Sequence, residues 1–90
     1  MIRIRFSTFL SERIGDISSV EVSATTVGAA LRALTDRYPE LARLVWIKED
    51  TVSPMLAVFL NDQLIEPGRM GTSVKPGDQI DLLAAVSGGI

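Results

Sequence analysis

The chain has 90 residues, 47% hydrophobic and 22% charged, enough for one small globular domain and too few for a multidomain enzyme. Nine Lys and Arg stand against eleven Asp and Glu, a formal charge of -2, with no Cys and no His; this excludes disulfides, thiolate or imidazole metal ligands, Cys nucleophiles and Ser-His-Asp triads, and it withholds the basic excess of a nucleic-acid binder. Ten Leu, eight Ile, eight Val and three Phe suffice for a core, while no apolar run is long enough to span a bilayer and Met1-Ile2-Arg3-Ile4-Arg5 lacks the layout of a secretory leader, so a soluble cytoplasmic protein is expected.

Ile2, Ile4 and Phe6 alternate with Arg3 and Arg5, a period of two that predicts a strand with one face in a core and the other in water. Beyond Ser7 to Gly15, the Gly15-Asp16 pair reads as a turn, and Val20 and Val22 flanking Glu21 predict a second short strand completing an N-terminal hairpin. Thr25 or Thr26 caps a helix whose apolar residues Val27, Ala30, Leu31, Leu34 and Tyr38 recur at three- and four-residue intervals. No Glu lies three residues after either Thr to complete a capping box, so the start is loosely defined. Pro39 sets the end, because the residue before a proline is driven out of the α region.

Leu41, Leu44, Val45 and Ile47 fit a short helix or a turn, and Trp46 is either buried or part of a contact surface. Lys48 to Pro54 is polar, ends in Ser-Pro and reads as a loop. The apolar run Leu56 to Leu60 predicts a central strand; Asn61-Asp62-Gln63 turns the chain and Leu64-Ile65 resumes it, a hairpin signal. Pro67-Gly68 breaks the chain again, and Lys75-Pro76-Gly77-Asp78 places Pro and Gly at the central positions of a type II turn before a last strand from Gln79 to Ala84 or Ala85. Two hairpin-like units around one helix make an α+β two-layer domain over residues 1–86, without repeats or an interior linker.

Few residues invite a catalytic assignment. Asp78 with Asp81, and Glu49 with Asp50, have no neighbour that would tune them for acid-base work and read as turn and surface charges. Arg3 and Arg5 either steer an acidic partner or form an ordinary solvated face. The tail differs from the rest: after Ala84-Ala85-Val86 come Ser87, Gly88, Gly89 and then Ile90. At an average glycine usage of about 7%, a Gly-Gly at a chosen pair of positions arises about once in 200 sequences. A flexible tail over residues 87–90 without Cβ atoms at two positions threads a narrow channel and carries a carboxylate to another enzyme's nucleotide; the alternative is a frayed terminus with no role.

With these segments in this order, the chain resembles the MoaD/ThiS group of sulfur carrier proteins, more MoaD-like than ThiS-like. The resemblance spans most of the chain and rests on Ile2-Arg3-Ile4-Arg5-Phe6, on Thr26-Val27-Gly28 leading a helix that ends Arg37-Tyr38-Pro39, on Val58-Phe59-Leu60-Asn61-Asp62-Gln63, on Pro76-Gly77-Asp78-Gln79-Ile80 and on Val86-Ser87-Gly88-Gly89. It implies a ubiquitin-like β-grasp fold, a mixed sheet of four to five strands packed on one main helix. It also implies a carrier that is not an enzyme and binds no cofactor. Its terminal glycine carboxylate is adenylated by an ATP-using, ubiquitin-activating-like enzyme and becomes a thiocarboxylate, with sulfur from a sulfurtransferase or sulfide. The sulfur then passes to an acceptor synthase in cofactor, cysteine or thiolated-metabolite biosynthesis.

Carried over residue by residue, Gly89 matches the activated glycine and Gly88 the one before it, while Leu64 and Leu83 match an apolar surface that docks the activating or acceptor enzyme. Ordinary core positions or singly exposed leucines are the alternative for these two. Two features depart from the family pattern: Ala84-Ala85 stands where two prolines are frequent, and Ile90 follows Gly89. The resemblance accommodates the second through a JAMM-type metalloprotease that removes Ile90. A ubiquitin-like modifier joined to lysines through Gly89, and a small subunit of molybdopterin synthase, remain open alternatives, as does a binding module without tail chemistry.

Overall fold

A computed structural model describes residues 1–49 and 51–84. The alternation at the start becomes β1 (Ile2–Phe6), with Ile2 and Ile4 at 1% and 0% exposure and Arg3 and Arg5 in solvent. The segment after it is more structured than the sequence suggested: a one-turn helix α1 (Thr8–Ser11) and a 3-10 turn (Glu12–Ile14) bury Leu10 and Ile14 before Gly15 and Asp16 turn the chain. β2 (Ser19–Val22) then returns antiparallel to β1, pairing Ile2 with Val22 and Ile4 with Val20, so the N-terminal hairpin is present with a helical cap inserted.

The helix α2 (Val27–Arg37) starts at Thr26. Its first donors all have partners: Val27 N–H bonds Thr72 O (3.0 Å), Gly28 N–H bonds Met70 O (2.8 Å), and Ala29 N–H bonds Thr26 Oγ1 (3.0 Å). A helix start leaves such groups orphaned unless side chains or other segments accept from them. The approach is close at Gly28, where a Cβ would stand 3.2 Å from Met70 O and push that backbone back by a few tenths of an ångström. Val27, Ala30, Leu31 and Leu34 are fully buried, and the helix ends at Tyr38 ahead of Pro39, as the proline requires.

A 3-10 turn (Pro39–Leu41) and α3 (Ala42–Val45) follow, settling the short-helix alternative. The stretch read as a loop is partly a ribbon: β3 (Trp46–Lys48) pairs antiparallel with β4 (Thr51–Val52). Two anchors hold it. Trp46 donates its indole N–H to Thr35 Oγ1 (3.1 Å) under the Arg32 guanidinium, 4.2 Å from its ring, and Val52 is buried. Trp46 is thus half-buried, joining the ribbon to α2.

β5 (Leu56–Leu60) and β6 (Gln63–Ile65) form the second hairpin around Asn61 and Asp62, whose φ of 49° and 73° match the mirror-image turn that two-residue hairpins favour. After a 3-10 turn (Pro67–Arg69), Gly77 at φ 94° closes the predicted turn, with Asp78 N–H on Lys75 O (3.0 Å), and leads into β7 (Gln79–Ala84). The sheet order is β2-β1-β7-β5-β6. β7 runs parallel to β1 and antiparallel to β5, so the middle position belongs to β7; β5, expected to be central, is interior but next to the edge.

A mixed five-stranded sheet with α2 across one face is the expected α+β, ubiquitin-like β-grasp arrangement. The core lies between them, formed from alternate strand residues such as Ile4, Val58, Ile80 and Leu82 together with the apolar stripe of α2. Each such Leu or Ile contributes roughly 1.5–3 kcal/mol relative to exposure. The expected domain limit at residue 86 lies outside the described residues. Among those described, no helix is long and apolar enough to cross a membrane.

Candidate docking and transfer site

β7 is the last described strand, ending at Ala84. It is paired on both sides, and its alternation places Ile80 and Leu82 in the core, both at 0% exposure, while Asp81 and Leu83 point to the other face. Registers carry this parity across the sheet: Leu83 opposes Ala57, Asp81 opposes Phe59, and Phe59 opposes Leu64. Leu83 and Leu64 are therefore on one face, 44% and 57% exposed, with half-buried Phe59 between their rows. The structure brings together two leucines that the sequence could also have placed in a core. It adds Phe59, which sequence reasoning did not single out although buried Val58 beside it implies an outward Phe59.

This face carries a depression of about 610 Å³ lined by Arg5, Phe6, Phe59, Asp62, Asp81 and Leu83, with Ser18 and Ser19 at one side. Two of its three charged residues, Arg5 and Asp81, pair with each other. Arg5 Nε donates to Asp81 Oδ1 at 2.7 Å, and that hydrogen bond, reinforced by the Asp81 charge, raises the Arg5 pKa further above its ordinary value. Arg3 lies 3.4 Å from Glu21. Both arginines offered as possible steering groups are thus largely offset by neighbours, and the apolar residues dominate what a partner would meet.

The carboxylates behave as structural groups. Asp78 accepts from the Lys75 backbone N–H (2.8 Å) and from Asn61 Nδ2 (3.1 Å), which hold its carboxyl below the usual carboxylate range. Asn61 in turn accepts from Gln79 N–H at 3.0 Å, so the β5–β6 turn and the start of β7 are tied by one polar network. Glu49 is exposed and its backbone carbonyl accepts from Arg32; Asp50 lies outside the described residues. Among the described residues no three His, Cys, Asp or Glu come together as a metal site.

Ser87, Gly88, Gly89 and Ile90 lie outside the described residues, so the structure gives the platform that the tail leaves from, ending at Ala84. An apolar sheet face beside the last strand, with no acid-base or metal constellation among the described residues, is suited to holding a partner against whatever the tail presents.

Comparison with known proteins agrees with this geometry. The ThiS family profile matches residues 4–89. Among solved structures, CysO in the BexX/CysO complex of Amycolatopsis orientalis is 30% identical with a TM-score of 0.82, covering 99% of this chain and 100% of that one. CysO of Mycobacterium tuberculosis, described as an antigen, is 25% identical at TM-score 0.81, covering 96% and 100%. Small archaeal modifier protein 1 of Methanosarcina acetivorans is 26% identical at TM-score 0.85, covering 98% and 95%. The comparison with curated proteins gives no match.

Proposed function

The chain belongs to the ThiS/MoaD family of sulfur carriers and ubiquitin-like modifiers, and from that premise we propose that Gly89 is the group it carries into chemistry. The carboxylate of Gly89 attacks the α-phosphorus of ATP on an activating enzyme, pyrophosphate leaves, and an acyl-adenylate remains. Sulfide attacks the acyl carbon, AMP departs and a thiocarboxylate forms; where a sulfurtransferase persulfide attacks instead, AMP departs to leave an acyl disulfide, and a thiol reductant cleaves its S–S bond to release the thiocarboxylate. An acceptor synthase then takes the sulfur. The carrier supplies no general acid, base or metal to these steps, and ATP belongs to the partner.

Gly89 is joined by a peptide bond to Ile90, so its carboxylate exists only after that bond is hydrolysed. The family match supports the activated glycine, since it extends over residues 4–89 and so takes in Gly88 and Gly89. A JAMM-type metalloprotease is the partner proposed for the cut, and Leu64 and Leu83 are the proposed docking residues. That one of the similar structures is a complex of CysO with BexX supports a carrier that works while bound to another protein. The likeness to small archaeal modifier protein 1 favours a second reading, in which the same activated glycine forms an isopeptide bond to a lysine of a target. Recovery of the domain on lysines in cell extracts distinguishes it.

The test is ATP-pyrophosphate exchange by the activating enzyme of the same cells, offered either the full chain or a chain ending at Gly89. Exchange with the shorter chain alone is expected. Equal exchange with both overturns the maturation step, and exchange with neither overturns Gly89 activation.

A further inference from the structure

The sheet has a second apolar surface at the base of the tail, on the side opposite Leu64 and Leu83. Ala84, facing the helical side with its partner Leu56, lines a groove of about 260 Å³ together with Phe9, Leu44, Met55 and Arg43. Three separate elements build it: α1 provides Phe9, α3 provides Leu44 and Arg43, and the turn before β5 provides Met55. Phe9 and Met55 are 38% and 56% exposed. Arg13 holds its guanidinium 4.2 Å from the Phe9 ring centroid, and neither Arg13 nor Arg43 forms an ion pair among the described residues.

We propose that this groove is a second docking surface, engaged by the enzyme that adenylates Gly89 and filled by an apolar side chain of that enzyme bordered by carboxylates. The inference rests on the activation of Gly89 proposed above. Two observations select this occupant. An enzyme that draws the tail into a channel encloses the chain on all sides where it enters, and the root of this tail is flanked by Leu83 on one face and by the groove on the other. Charge selects the rim: Arg43 lines the groove and Arg13 lies over its Phe9, both without acidic partners among the described residues, an arrangement complementary to carboxylates. Exposed Phe and Met bordered by Arg is also the composition enriched at interface cores.

Two surfaces on opposite faces of β7 make partner choice separable, since a partner can use one or both. The test uses mature chain ending at Gly89 and its activating enzyme, read by ATP-pyrophosphate exchange over a range of carrier concentrations. The double variant R13E/R43E is expected to raise KM about tenfold with kcat unchanged and to weaken the salt dependence of KM. Met55→Ser, at an exposed position whose loss leaves the core intact, is expected to raise KM in the same direction. Lys75→Glu, on the turn at the far end of β7, is the charge control. If KM for R13E/R43E and Met55→Ser equals that of the control, the groove proposal is overturned while Gly89 activation stands; if the unmodified mature chain supports no exchange, both fall.

Discussion

Leu82 and Leu83 are adjacent and identical in type, yet the account assigns them opposite work, which makes the pair Leu82→Ala and Leu83→Ala its sharpest structural test. Leu82 is fully buried at 0% exposure and Leu83 is 44% exposed on the outer face. Truncating a buried leucine costs about 2–5 kcal/mol, the lost transfer energy plus the cavity left behind. A 90-residue domain has a total stability of roughly 5–13 kcal/mol. Leu82→Ala therefore removes a large share of it. With a urea slope of about 1–3 kcal/mol/M, the unfolding midpoint falls by roughly 0.7 M at the least. Leu83→Ala, a surface change, stays within about 0.5 kcal/mol and shifts the midpoint by under about half a molar unit. The assay is urea unfolding followed by Trp46 fluorescence, since that indole is held between α2 and the β3–β4 ribbon. In exchange assays Leu83→Ala, still folded, should show the raised KM. Equal midpoints for the two variants would refute the parity of β7 on which the docking face depends.

Other perturbations test single pieces of the fold. Gly77 sits at φ 94° with open space where a Cβ would go, so Gly77→Ala carries backbone strain alone and should lower stability by about 1–2 kcal/mol in the same urea assay. Thr26→Ala removes the acceptor for Ala29 N–H and should cost about 1 kcal/mol, with Thr26→Ser restoring most of it. Asp78 has a folded-state pKa depressed by its bonds from Lys75 and Asn61. Its contribution is therefore present above the unfolded carboxylate value and is lost as pH falls through the lower folded value. Urea midpoints measured across the acid range should fall less steeply for Asp78→Asn than for the parent, and identical slopes would contradict the turn network.

What was legible in the sequence is what local chemistry dictates. The alternation in β1, a cap at Thr25 or Thr26, the Pro39 stop, the Asn61-Asp62-Gln63 turn and the Pro76-Gly77 turn each act within a few residues of themselves; the structure has the cap at Thr26 and the hairpin turn at Asn61 and Asp62, with Gln63 already in β6. The β3–β4 ribbon was not legible, because its strands are three and two residues long, its middle is charged, and contacts that hold it go to Thr35 and Arg32 on α2. Strand order was hidden for a related reason: β7 takes the middle by pairing with β1, more than 70 residues away. The docking leucines fall between these cases. The alternation of Ile80 with Asp81 assigns Leu82 to the core and Leu83 to the other face, but only the registers of β5 with β7 and β6 put Leu83 and Leu64 on the same face. The groove of Phe9, Leu44 and Met55 joins three segments that no sequence spacing connects. Gly88 and Gly89 stand out in the sequence, and the family match ends on Gly89.

The measurement that tests the central claim most directly is intact-mass spectrometry of the protein recovered from its native cells while the pathway it serves is active. The account predicts a chain shorter by one isoleucine, ending at Gly89, with sulfur replacing one oxygen in part of the population. A chain uniformly extended through Ile90 and unmodified, under those same conditions, would contradict it.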